Sequence, residues 1–398
     1  MKFPSCLLLA ATSAWAQSVS GLWDATAVIN QVEIPFRIEF AGEGDSVKGW
    51  FFNGDEKVTS TSGSLKDGRL TLAFDHYATR LEATVQEGRI EGRYGRSSRG
   101  LDPFTAVRHV AGSSPVSEVP RIGGLWEVGV KSPKGESAWR LIVRQNGADV
   151  SAAILRVDGD TGTLTGSFKD GKFILSHFSG ARPSLLVLTP NPDGSLELDL
   201  SGKGKMTALR PAAARAKGLE GPTDPARHTT VKDPSEPFRF RFPDLNGNVA
   251  TESDPRFQGK VLVINITGSW CPNCHDEAPF LAEIYRKYRK QGLEVIAISF
   301  EEAEQLKDPA RLRAFIGRYG LEYTVLLGGE PAELKTKIPQ AVNLNSWPTT
   351  FFLGRDGRVR HIHAGFPGKA SGELHAEAKQ DFAGAVEALL AEPIRSSR

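Results

Sequence analysis

Between residues 20 and 210, apolar and polar positions alternate with period two. Leu70, Leu72 and Phe74 share a face, as do Leu81, Ala83 and Val85, and Leu196, Leu198 and Leu200. That is the pattern of strands with one buried face. Asp67-Gly68, Asp170-Gly171 and Asp193-Gly194 fall between such runs, where hairpin turns require positive φ. Turn signals recur every ~8–12 residues, which predicts an antiparallel sandwich or barrel. From Phe238 onward the pattern changes. Val261 to Ile266 is an almost continuous apolar run, as expected of a strand buried on both faces. The spacing predicts a helix from Cys271 to Lys290, a buried strand from Leu293 to Phe300, a helix from Pro309 to Tyr319 and a short strand from Thr324 to Leu327. A hairpin across Arg355-Asp356-Gly357 joins strands 349–353 and 358–363, and a helix from Glu373 to Leu390 closes the chain. This order describes a mixed sheet covered by helices.

The β-patterned region repeats itself. Gly21-Leu22-Trp23 returns as Gly124-Leu125-Trp126, and the run from Gly63 to Gly68 returns as Gly166 to Gly171, both at an offset of 103. Phe104 to Arg108 returns as Met206 to Arg210, at an offset of 102. We read two tandem all-β repeats, 17–110 and 123–210, as two small domains or as halves of one larger sheet structure. Residues 211–235 are rich in Pro, Ala, Gly and charge and carry no apolar period, so they read as a linker or strap before a third unit at 236–392. In the repeats His76, His109 and His177 stand alone in the sequence, and Trp23, Trp50, Trp126 and Trp139 read as core.

Composition narrows the function classes. Of 398 residues, 49 are Lys or Arg and 47 Asp or Glu, a formal charge of +2 that supplies no basic face for nucleic acid. The first residues, MKFPSCLLLAATSAWAQS, join a positive start to a short apolar run and an Ala14-Trp15-Ala16 site. They read as a signal peptide over 1–16, removed with Cys6. The expected setting is therefore periplasmic or secreted, where disulfides persist. Of three cysteines, two remain: Cys271 and Cys274, in Trp270-Cys271-Pro272-Asn273-Cys274.

A C-x-x-C after a buried strand and at the start of a helix signals a redox dithiol. Backbone amides and the dipole at the helix N-terminus favour a thiolate at Cys271, and the thiolate is the nucleophile. Cys274 lies one turn on and can resolve a mixed disulfide. A zinc site would need a second cysteine pair, and the sequence has none; no metal or other cofactor is expected.

Gly259-Lys260-Val261-Leu262-Val263-Ile264-Asn265, the dithiol, Glu277-Ala278-Pro279 and Trp347-Pro348-Thr349 together resemble the thioredoxin superfamily, and within it the exported TlpA/ResA-like thiol–disulfide oxidoreductases. The resemblance covers residues ~236–392. It implies a thioredoxin-like α/β fold and catalytic roles for Cys271, Cys274, Glu277 and a cis Pro348. It also implies client contacts from Trp270, Trp347 and Thr349. The implied partners are a client protein with a disulfide or dithiol and a membrane-bound redox partner. The implied direction is reductive, as in cell redox homeostasis and cytochrome c maturation. Glu277 is the candidate proton-handling acid, because Asn265 stands where cytosolic thioredoxins carry a buried aspartate. Three positions depart from the family pattern: Pro272-Asn273, where reducing members have proline second; Ile266-Thr267, in place of an aromatic pair; and Trp347, in place of glycine. Two other readings stand beside this one. One is a peroxiredoxin-like thiol peroxidase, although its threonine would fall at position 268, which is Gly268. The other is a client- or partner-binding protein in which the β region has the main role.

Overall fold

The computed structural model describes residues 18–96, 98–110 and 118–393; the segment read as a signal peptide lies outside them. Residues 21–108 form a nine-stranded antiparallel sheet in which the first strand, Gly21–Ile29, pairs with the last, Gly100–Arg108. Its free edges are the neighbouring strands Glu56–Thr59 and Ser62–Lys66, so the sheet curls without closing. Residues 124–209 form a second antiparallel sheet. Here Ala138–Asn146 pairs with both Gly124–Gly129 and Asp149–Arg156, and eight strands close into a barrel.

Both sheets use the same local devices at the positions that match in sequence. Trp23 Nε1 donates to Val19 O and Trp126 Nε1 to Ile122 O, each at 2.8 Å. Arg108 and Arg210 cover the two indoles at 4.4 and 3.7 Å from the ring centroids. Asp67-Gly68 and Asp170-Gly171 take positive φ in corresponding hairpins, the backbone state that their turn chemistry anticipates. Trp23 and Trp126 are buried in separate cores, which places two hydrophobic cores in the β region. The two sheets meet through Phe36 stacked on Phe178 at 4.3 Å and through Tyr94 OH, which donates to Gly180 O at 2.9 Å.

Segment 211–235 is an ordered strap. Pro211–Ala216 and Pro225–His228 are short helices, and Thr230–Val231 pairs with Ala341–Val342. Asp224 caps the second helix by accepting from Ala226 N at 2.9 Å, and His228 and Thr229 are buried.

The C-terminal unit is a five-stranded mixed sheet. Its order is Thr324–Gly329, Leu293–Phe300, Val261–Thr267, Thr349–Leu353, Val359–Ala364. The first three strands run parallel and the last two antiparallel. The central strand, Val261–Thr267, is buried at every residue, because helices cover one face and the Phe238–Phe257 segment and its neighbours cover the other. Helices Pro272–Tyr288, Ala310–Tyr319 and Glu373–Ala391 fall within two residues of the expected bounds. This is the thioredoxin-like arrangement, preceded by an all-β region.

Candidate functional site

Cys271 is the N-cap of the Pro272–Tyr288 helix. Pro272 begins the helix where the missing N–H costs nothing. The Cys274 amide donates to Cys271 Sγ at 3.3 Å, so the sulfur occupies the acceptor position of a capping side chain. Anionic groups are favoured there. Both residues are free thiols, 3% and 1% exposed. Burial and the neighbouring Cys271 push the Cys274 thiol well above its usual range, against a hydroxyl contact from Thr267. The two sulfurs are therefore unequal: the inner one holds its proton.

The Trp347–Pro348 peptide bond is cis, and Cys271 Sγ lies 3.6 Å from Trp347 O. Trp270 and Trp347 are half-buried and meet edge to face at 5.3 Å, with Trp270 Nε1 donating to Phe300 O at 2.9 Å. They frame the dithiol. Thr349 does not: it is fully buried and its hydroxyl donates to Ser346 O at 2.8 Å. Its side chain braces the turn from inside.

Glu277 lies beneath the dithiol at 1% exposure. Thr350 Oγ1 donates to Oε1 at 2.7 Å and Asn265 Nδ2 to Oε2 at 2.6 Å. Burial pushes this carboxyl up to about 8, and the two donors only partly oppose it. Asn265 is thus more than a neutral substitute for an aspartate, because its amide orients the buried Glu277 carboxyl.

A second buried group holds the turn before Cys271. Glu301, fully buried, accepts from Ser269 N at 2.8 Å, Ser269 Oγ at 2.7 Å and Ser299 Oγ at 2.7 Å. Arg311 pairs with Glu301 at 2.8 Å and reaches Ser269 Oγ at 2.8 Å. Its other nitrogen pairs with Glu302 at 2.6 Å, and Glu302 in turn meets Arg96 and Arg99 of the first sheet. Sequence reasoning passed over Glu301 and Arg311. The available signal was an acid placed directly after an apolar strand, where it needs a buried partner.

The β region reaches the site from two sides. From the barrel, Asp158 O accepts from Asn273 Nδ2 at 2.6 Å, and Gly159 forms a β-bridge with Phe366. Gly365, at φ +73, has no room for a side chain, since a Cβ would lie 2.1 Å from Val157 O. Arg182 pairs with Asp276 at 2.6 Å and approaches Asp160 at 3.7 Å, while Ser371 Oγ donates to Asp160 at 2.7 Å. From the first sheet, Tyr77 packs on His275 at 4.5 Å, and His76 approaches the same ring at 6.0 Å. His275 is held by Ser269 O and Tyr319 OH, both at 2.9 Å. Burial lowers its basicity and takes His76 down to about 3, so both rings are neutral packing groups. His109 pairs with Asp24 at 2.9 Å and His177 bonds Thr163 O and Ser179 Oγ, all remote in sequence from any motif. Asn273 therefore has a structural use in this chain. Asn273→Ala should cost about 1 kcal/mol of stability, the net worth of one hydrogen bond, read as a lower denaturant midpoint at unchanged slope.

Comparisons with known proteins agree with this geometry. The Redoxin family model matches residues 230–377. The thiol-disulfide oxidoreductase ResA of Geobacillus kaustophilus is 30% identical over 138 residues, covering 35% of this chain and 72% of that protein. ResA of Bacillus subtilis is 26% identical over 136 residues, covering 34% of this chain and 69% of that one. Among solved structures, a putative thiol:disulfide interchange protein DsbE from Chlorobium tepidum matches 41% of this chain and 100% of its own, at 22% identity and a TM-score of 0.33. At 30% identity over 72% of a curated ResA, the chain belongs to the ResA-like thiol–disulfide oxidoreductases.

Proposed function

We propose that the protein is exported and reduces disulfides in client proteins, with Cys271 as nucleophile and Cys274 as resolving thiol. The observation that carries this reading is the inequality of the two sulfurs: Cys271 Sγ accepts an amide at a helix N-terminus, while burial keeps Cys274 protonated. The Cys271 thiolate attacks one client sulfur, the client S–S bond breaks, and the departing client thiolate takes up a proton. Cys274 then gives up its proton and attacks Cys271 Sγ. The mixed disulfide breaks, the second client thiol leaves, and two electrons have passed from the dithiol to the client. Glu277, on the same helix and half-ionised near pH 8, is the proposed proton acceptor for Cys274 through its ionised fraction. The oxidised dithiol must be re-reduced, for which we propose a membrane-bound redox partner. Cytochrome c maturation is one setting for such delivery of electrons. Pro348, Trp270 and Trp347 border the space in front of Cys271 and are the proposed client contacts. We propose residues 1–16 as the leader that exports the chain; no helix among the described residues is long and apolar enough to cross a membrane. We further propose units at 17–110 and 123–210 related by duplication, a strap at 211–235 and the thioredoxin-like unit at 236–392; the paired indole and hairpin devices support the duplication.

The test is a thiol count. Fully reduced protein mixed with one equivalent of a protein disulfide should lose two thiols while the client gains two. A chain that leaves the client intact but consumes hydrogen peroxide would instead be the peroxidase.

A further inference from the structure

A cavity of about 480 Å³ lies beside the dithiol turn, and Pro272 and Asn273 form its floor. Its walls come from distant parts of the chain. Ile29, Val32 and Ile34 of the first sheet and Leu200 of the barrel give it an aliphatic side. Arg156 and Lys203 of the barrel give it a basic one. The walls are fixed to the floor by the Asn273–Asp158 hydrogen bond and the part-buried Arg182–Asp276 pair. A 480 Å³ cavity falls within the range of ligand sites, about 300–1,000 Å³.

Its charges are not balanced. Asp158 is taken by Lys134 at 2.5 Å, and Asp160 by Arg182 and Ser371. Arg156 rests on the Trp139 ring at 4.5 Å, Lys203 is exposed, and neither forms an ion pair among the described residues. The uncommitted charges facing the cavity are thus both positive. Its floor is the pair of residues between the two cysteines, so the cavity adjoins the dithiol turn on the side of the β region.

We infer that this cavity is a client-binding subsite built by the β region, and that it selects a segment beside the attacked disulfide carrying an aliphatic side chain and a carboxylate. The inference rests on the proposed attack by Cys271. It gives the duplicated β region a specificity role in the reaction, beyond that of a spacer.

The experiment compares three substrates on the full-length reduced protein. They are a small aromatic disulfide, a peptide disulfide flanked by Glu-Leu, and the same peptide flanked by Lys-Leu. The acidic peptide should exceed the basic one in kcat/KM by about fivefold at low salt, the scale of one exposed ion pair, with the advantage shrinking as salt screens it. Lys203→Glu, at an exposed position that does not threaten folding, should abolish or invert the ratio and leave the small disulfide unchanged. Equal rates for the two peptides, or a ratio indifferent to Lys203→Glu, would overturn the subsite while leaving the dithiol reading intact. Failure to reduce the small disulfide would instead sink the attack by Cys271, and the subsite with it.

Discussion

Glu277→Gln should make the protein more stable above pH 8 and nearly remove one segment of its pH dependence. The buried carboxyl is held at about 8 in the fold, against 4.5 for its ordinary value. The folded state therefore keeps a proton that the unfolded chain releases. Stability from the neutral form is complete below pH 4.5 and is lost as pH rises through 8. At 1.36 kcal/mol for each pK unit, the loss across that window is ~5 kcal/mol. Glutamine cannot ionise, so the variant should hold its stability across the same range. Unfolding midpoints at pH 5 and pH 9 for both proteins check this. The difference between the proteins should be small at pH 5 and large at pH 9; parallel pH profiles would place Glu277 in a solvated setting that contradicts its burial. The same shift bears on the proposed proton transfer. Near neutrality the acid is mostly protonated, so Glu277→Gln should leave thiolate absorbance there largely unaltered. Its effect should appear above pH 8, where removing the negative charge lets the coupled thiols ionise more readily.

Arg182→Met should cost about 3 kcal/mol at neutral pH, the low end for removing one partner of a buried charge pair, because Arg182 and Asp276 keep 12% and 20% of their side-chain surface exposed. Arg182 is the cation between Asp160 of the barrel and Asp276 of the dithiol helix. Without it, two carboxylates share a buried contact. Burial, then Asp160, already raise Asp276 to about 6, with Arg182 opposing. Protonating Asp276 relieves the repulsion, so the defect should be smaller at pH 5 than at pH 7.5. A defect of equal size at both pH values would mean that lost packing, and not the unpaired charges, sets the cost. Because the contact joins the β region to the dithiol helix, the variant should also expose the 158–162 segment to protease sooner than wild type.

The thioredoxin-like unit was legible because its signals are local. Unbroken apolar runs mark strands buried on both faces, and the dithiol declares itself by following one of them. The β region was legible as strands but not as architecture. Whether a sheet closes depends on one pairing, here Asp149–Arg156 with Leu164–Lys169 in the barrel; in the first sheet Glu56–Thr59 and Ser62–Lys66 remain free edges. Least legible was the joint between the regions. Asn273 meets Asp158, Arg182 meets Asp276 and Tyr77 meets His275 across 94 to 198 positions of sequence, with no period or spacing to betray them. The Pro272-Asn273 pair, which departs from the family pattern, acquires a reason only when Asn273 is seen anchoring the barrel. Adjacency to Pro348 suggests a client contact for Thr349, whereas the strand it begins, Thr349–Leu353, is buried at every residue and its hydroxyl bonds Ser346 O.

The measurement closest to the central claim is covalent trapping. Reduced Cys274→Ser and Cys271→Ser proteins are each mixed with a disulfide-bearing protein, quenched with acid and weighed by mass spectrometry. Cys274→Ser should accumulate a one-to-one adduct through Cys271, because the attacking sulfur remains and the resolving one is gone. Cys271→Ser should accumulate none, since the remaining Cys274 is buried and held protonated. An adduct on Cys274 in the Cys271→Ser protein, with none on Cys271 in its counterpart, would contradict the assignment of the two sulfurs.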